Sequence, residues 1–276
     1  MKKTFILVLC TILFTGYSNA QKSQKFYARV GIGVAAGTSN SLDMLYKYSN
    51  DGVNQTLKIQ PVDLGSGFNG TAAFGFMPSK YVGFEIAISD FFGFPNFGDS
   101  IVKMPGGTTT YAAIKVNVLS VIPSVVITAG LDKVNPYARF GVVLGVYPIM
   151  RNFYEADQPT VNPPKKVEAI QEYTGGIALG FSATGGVTFK INKLISLYAE
   201  LNYIGMSFAP TESELTKFTV DGANQLTTLN TKQRETLYVT KLNLNEKIPD
   251  TSPDKQLRKN YPLNSVGVSF GVMFKF

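Results

Sequence analysis

From Lys25 onward, apolar residues recur at every second position in eight separate runs, a spacing that confines the chain to β-strands. The first run sets Phe26, Ala28, Val30, Ile32 and Val34 against Tyr27, Arg29, Gly31 and Gly33. The second, at about 67–77, sets Phe68, Ala72, Phe74 and Phe76 against Asn69, Thr71 and Gly75. The third sets Val82, Phe84, Ile86 and Ile88 against Glu85 and Ser89. The fourth opens with Ile114, Val116 and Val118 against Lys115 and Asn117, and a bulge is expected at Pro123, which has no N–H to give a ladder. The fifth sets Phe140, Val142, Leu144 and Val146 against Arg139, Gly141 and Gly145. The sixth sets Ile177, Leu179, Phe181, Val187 and Phe189 against Gly180, Ser182, Thr184 and Lys190. The seventh sets Leu197, Ala199, Leu201 and Tyr203 against Ser196, Glu200 and Asn202. The last sets Val266, Val268, Phe270, Val272, Phe274 and Phe276 against Ser269, Gly271 and Lys275.

The connections alternate in length. Segments 78–80, 131–135 and 191–193 are tight, whereas about 37–66, 93–109, 151–172 and 209–261 are long. Short turns at one end and long loops at the other predict an all-β fold: an eight-stranded antiparallel up-and-down transmembrane β-barrel with short periplasmic turns and long extracellular loops. Segment 93–109 can extend the third and fourth strands as a hairpin turning at Pro105-Gly106-Gly107. Ten strands result if 234–244 pairs as well. Gly67-Phe68-Asn69-Gly70-Thr71 is echoed by Gly180-Phe181-Ser182-Ala183-Thr184, which fits an old duplication or, as we read it, similar demands on equivalent hairpins.

Charge placement decides which face meets hydrocarbon. Arg29, Glu85, Lys115, Arg139, Lys190, Glu200 and Lys275 all fall on the less apolar phase. A lipid-facing Arg or Lys at mid-bilayer costs about 2–4 kcal/mol, which would enforce that segregation. An eight-stranded interior has room only for side chains, so the small residues belong inside and the Phe-rich face outside. Arg29, Glu85, Arg139 and Glu200 lie on alternate strands, near comparable heights, with alternating sign. Two arrangements fit them: a layer in which each cation contacts an anion and blocks bulk flow, or four separately hydrated charges. Lys115 and Asn117 are expected to line a lumen entrance.

The first twenty residues are set apart. Lys2 and Lys3, the apolar stretch from Thr4 to Gly16, and Ser18-Asn19-Ala20 have the form of a signal peptide over 1–20, leaving 21–276 as the barrel domain. Cys10, the sole cysteine, leaves with it, so disulfides and Cys-based metal sites are excluded. The chain has 0 His, which removes Ser-His-Asp and Cys-His catalysis and His-ligated metals. No catalytic residue, metal or cofactor is expected. The net charge of +7 forms no basic stripe with interleaved aromatics, so no nucleic-acid partner is expected.

The chain ends on Phe276, preceded at every second place by Phe274, Val272, Phe270 and Val268. This resembles the signal by which outer-membrane barrels are recognised by the barrel-assembly machinery. Together with the leader and the eight strands, it makes the chain similar to the small outer-membrane barrel superfamily that includes the OmpA, OmpX, OmpW and PorT groups. The Gly-rich strands and Pro136-Tyr137-Ala138-Arg139-Phe140-Gly141 look most like variants of Bacteroidetes-type bacteria. The resemblance implies a Gram-negative outer membrane and a non-enzymatic structural or surface-interaction role, since barrel enzymes of that membrane need a His. A narrow channel or hydrophobic-solute conduit of the OmpW kind is the alternative, followed by an accessory role in secretion or assembly of the PorT kind. A peptidoglycan-binding domain of the full-length OmpA kind is not expected after the last strand, so tethering by that route is not implied. Expected contacts are outer-membrane lipid and lipopolysaccharide, whose phosphates Lys255, Arg258 and Lys259 could meet.

Overall fold

The computed structural model describes residues 25–38, 45–50, 55–99, 109–158, 165–243 and 245–276. The expected signal peptide and the turn at Pro105 lie outside these. Eight strands build the wall: β1 (Phe26–Gly37), β2 (Gly67–Phe76), β3 (Val82–Gly93), β4 (Thr109–Thr128), β5 (Val134–Gln158), β6 (Ala178–Lys190), β7 (Ile195–Phe208) and β8 (Ser265–Lys275). Each is antiparallel to its neighbour in chain order. β8 returns to β1, from Tyr27 opposite Lys275 to Gly37 opposite Ser265, so the wall closes and leaves no edge. The two chain ends meet where Phe26 N donates to Phe276 O at 3.1 Å and Phe276 N donates to Phe26 O at 2.9 Å.

Except on β4, the alternation sorts side chains as the charge argument requires. Phe68, Phe84, Phe140, Phe181 and Phe270 are each more than half exposed on the outer face. Inside, Arg29, Glu85, Arg139 and Glu200 are buried, as are Ser89, Ser182, Thr184 and Ser269. Lys190 and Lys275 share the inner phase at the turn end, where Lys190 lies 3.7 Å from Asp132. Among the described residues no helix is long and apolar enough to cross a membrane.

At the loop end β4 and β5 run on together, to Thr109 opposite Asp157. Strand Lys165–Thr174 adds to β5, Glu212–Val220 adds to that, and Glu235–Val239 follows, with Asp254–Leu257 parallel at the rim. Asn96–Asp99 pairs with β4 and touches a hairpin of Leu45–Asn50 and Gln55–Gln60. The possible tenth-strand segment therefore does form a strand, but its partners are loop strands. The wall has eight.

β4 corrects the sequence reading twice. Its register shift lies between Leu119 and Ser120, with Val146 as the extra residue of β5, rather than at Pro123. At Pro123 the β4–β5 ladder is instead interrupted: pairing stops at Val121 opposite Leu144 and resumes at Ser124 opposite Gly141. The missing N–H explains that gap.

Candidate functional site

Four charged side chains of the wall meet in the barrel's interior. Arg29 on β1 holds Glu85 on β3 with two parallel hydrogen bonds, Nε to Oε2 at 2.8 Å and Nη2 to Oε1 at 2.8 Å. Its Nη1 lies 3.4 Å from Glu200 Oε1 on β7. Arg139 on β5 donates to both carboxylate oxygens of Glu200, at 3.1 and 3.0 Å, and its Nη1 lies 3.2 Å from Glu85 Oε1. Each cation thus touches both anions. Planar guanidinium forks suit this role, because they match a carboxylate two atoms to two. Charges taken out of water stay ionised only when paired and hydrogen-bonded this fully.

Two tyrosines complete the layer, and the sequence reading missed them. Tyr27 donates its hydroxyl to Glu85 Oε2 at 2.8 Å, and Tyr137 donates its own to Glu200 Oε1. Both belong to a Tyr-Ala-Arg triplet, at 27–29 on β1 and 137–139 on β5. Glycines make room for both rings: a Cβ on Gly75 would stand 2.1 Å from Tyr27, and one on Gly186 would stand 2.8 Å from Tyr137. The arrangement therefore repeats between the two halves of the barrel, strand n matching strand n+4. The repeated triplet was the available signal. Tyr198 breaks the repetition: it accepts from Arg29 Nη1 at 3.3 Å, and the Arg29 guanidinium lies 5.3 Å from its ring centre.

Toward the loops, Arg29, Arg139 and Glu200 floor a cavity of about 80 Å³ walled by side chains such as Thr71, Ser120 and Ser182. Thr184, Asn202 and Ser269 form a hydrogen-bonded chain on its wall, with Thr184 donating to Asn202 at 3.0 Å and Asn202 to Ser269 at 2.8 Å. Above it the interior turns apolar. Leu45, Val62 and Leu64 from the first long connection pack with Val116, Val118 and Phe208. The interior is therefore closed by charge on one side of the cavity and by hydrocarbon on the other.

That plug overturns the expected entrance. Val116 and Val118 are buried on the inner face of β4, so Lys115 and Asn117 face outward. Lys115 Nζ lies 5.6 Å over the Phe153 ring. The sequence reading took the apolar phase for the outer one. Near the loops the inner phase is apolar too, because loop residues fill the mouth.

Over the mouth, Tyr173 and Tyr238 stack at 5.9 Å between centroids. Burial raises the phenols of Tyr154 and Tyr173 above their ordinary range and pushes Tyr261 up to about 12. Of the basic trio, Lys255 pairs with Glu246 at 2.5 Å, while Arg258 and Lys259 are exposed. The terminal Phe270, Phe274 and Phe276, with Val268, line the outer face of β8, and Val272 shares their phase. Among the described residues, no group of three His, Cys, Asp or Glu is placed to hold a metal ion.

No protein-family model matches the chain, and no curated protein matches it. Among solved structures it is similar to Neisserial surface protein A, 13% identical over 91% of this chain and 97% of that one, at a TM-score of 0.37. It is also similar to Ail, the attachment invasion locus protein of Yersinia pestis, 11% identical over 91% and 99% of the two chains, at 0.31. A third is CymD, a monoaromatic hydrocarbon channel, 6% identical over 93% and 90%, at 0.22. At these TM-scores the fold rests on the closed eight-stranded antiparallel ladder itself.

Proposed function

We propose that this chain is an outer-membrane barrel of a Gram-negative bacterium, exported with a cleaved signal peptide, with a structural or surface-interaction role and no catalysis. The observation that carries the reading is the inverted amphipathy of the wall. A continuous belt of exposed Phe, Ile, Leu and Val surrounds an interior that holds the ion pairs. A water-soluble monomer rarely exposes such an area, whereas hydrocarbon solvates it at no cost.

The sealed interior favours display over conduction. The strands built onto β4 and β5 present a broad sheet beyond the mouth, suited to contact with a protein partner. The exposed Arg258 and Lys259 suit lipopolysaccharide phosphates, with Lys255 drawn off by Glu246. The β8 face suits recognition by the barrel-assembly machinery. Nucleic acid is not a partner in this reading.

The test is membrane extraction followed by planar-bilayer recording. We expect a detergent-requiring protein whose gel mobility shifts on boiling and which shows no steady conductance. Material that stays dissolved without detergent would overturn the location. A steady conductance altered by Arg139→Ala would replace the display role with the channel.

A further inference from the structure

The outer belt is dented where strands β4 and β5 lose their pairing. Beside that gap lies a groove of about 700 Å³ lined by Phe74, Phe84, Ile86, Pro123, Val125 and Phe140. Pro123 and the interrupted ladder form its floor, and aromatic rings form its sides. One side is stiffened by the Phe26–Phe74 stack at 5.8 Å. The groove's apolar path continues toward the turn end through Val82 opposite Ile127, both exposed.

That path ends at a held cation. Lys80 Nζ lies 4.7 Å over the Tyr81 ring. Thr128 fixes this corner, donating its backbone N–H to Tyr81 O at 2.7 Å and its hydroxyl to Lys80 O at 2.7 Å. Gly130, with φ +69°, lets the neighbouring turn approach so closely that a Cβ there would stand 2.9 Å from the Tyr81 ring. Exposed Lys133 belongs to that same turn.

We infer that this groove binds one acyl chain of a phospholipid whose phosphate sits on Lys80. This rests on the membrane reading above. An apolar channel that opens at one end on a braced lysine matches an amphiphile with a chain and an anionic head. A neutral hydrocarbon would have no use for the lysine, and a free phosphate none for the groove. Tyr81 stands at the boundary level where aromatic girdles of barrels sit.

The test uses the full chain reconstituted in vesicles of phosphatidylethanolamine and phosphatidylglycerol, then exchanged into detergent and weighed intact by native mass spectrometry. Wild type is expected to retain a single phospholipid. Lys80→Glu should lower that occupancy by roughly fivefold or more, the factor that one lysine contributes at an anionic lipid surface. Val125→Trp, which fills the groove and leaves Lys80 in place, should lower it as well. Lys193→Glu, on the turn between β6 and β7, should leave it unchanged. Equal retention in all four proteins, or equal loss in Lys80→Glu and Lys193→Glu, would overturn the site. So would a wild type that carries no lipid while its mobility still shifts on boiling, a result that leaves the membrane reading intact. Loss of that shift in wild type would sink both.

Discussion

Arg29 and Glu85 meet two atoms to two, with parallel bonds of 2.8 Å between β1 and β3 and almost no exposure on either side chain. Replacing Glu85 by Ala would leave two buried guanidiniums facing one carboxylate. We expect a loss of about 3–5 kcal/mol in folding stability. Urea titration of the heat-shifted gel band in vesicles checks it. Adding Arg29→Ala should cost less than the sum of the two single changes, because the survivors, Arg139 and Glu200, pair with each other.

Tyr27→Phe and Tyr137→Phe each delete a hydroxyl donated to a carboxylate. Each should cost roughly 1.5–3 kcal/mol in the same titration. The repetition between the two halves predicts similar values. A negligible effect at either site would show that its carboxylate is satisfied by the arginines alone.

Gly75→Ala and Gly186→Ala would press a methyl into the Tyr27 and Tyr137 rings. Each should cost about 1–3 kcal/mol through overpacking. At Gly70 a Cβ would meet nothing within 4 Å, so Gly70→Ala should be close to neutral. The contrast among three glycines of the same wall isolates packing from strand propensity.

Outside the wall, Lys217 and Lys166 donate to Glu168 and hold its carboxyl below the ordinary range. A carboxylate whose pKa is lower folded than unfolded contributes stability above the unfolded value, about 4.3. That contribution is lost as pH falls through the folded value. The protection factors of amides in Lys165–Thr174, which divide out the intrinsic slowing of exchange in acid, should therefore fall on acidification below about pH 4. In Glu168→Gln this loss of protection should disappear.

The wall was legible in the sequence because two independent patterns agree on it. Period-two alternation places the strands, and the rule against charge in hydrocarbon chooses the face for β1, β3, β5 and β7. Arg29, Glu85, Arg139 and Glu200 could be grouped from height and sign alone. Their second contacts could not, since these depend on how far each guanidinium reaches across the interior. β4 was misread because alternation shows which residues share a side, and not what fills that side. Where Leu45, Val62 and Leu64 fold into the mouth, apolar residues face inward as well as outward. Most described loop strands pair with one another and with extensions of β4 and β5, and Tyr261–Pro262 pairs with the end of β7, non-local choices that carry no short-range signature.

The doubled Tyr-Ala-Arg triplet has a consequence for how the cylinder comes together. Arg29 finds Glu85 within the first four strands, and Arg139 finds Glu200 within the last four. Within the layer, each half of the wall therefore pairs its own cation with its own anion before the two halves are joined. Zipping β1 to β8 then asks only for backbone pairing and the two longer cross-contacts, and at no stage must an orphan ion wait inside for its mate.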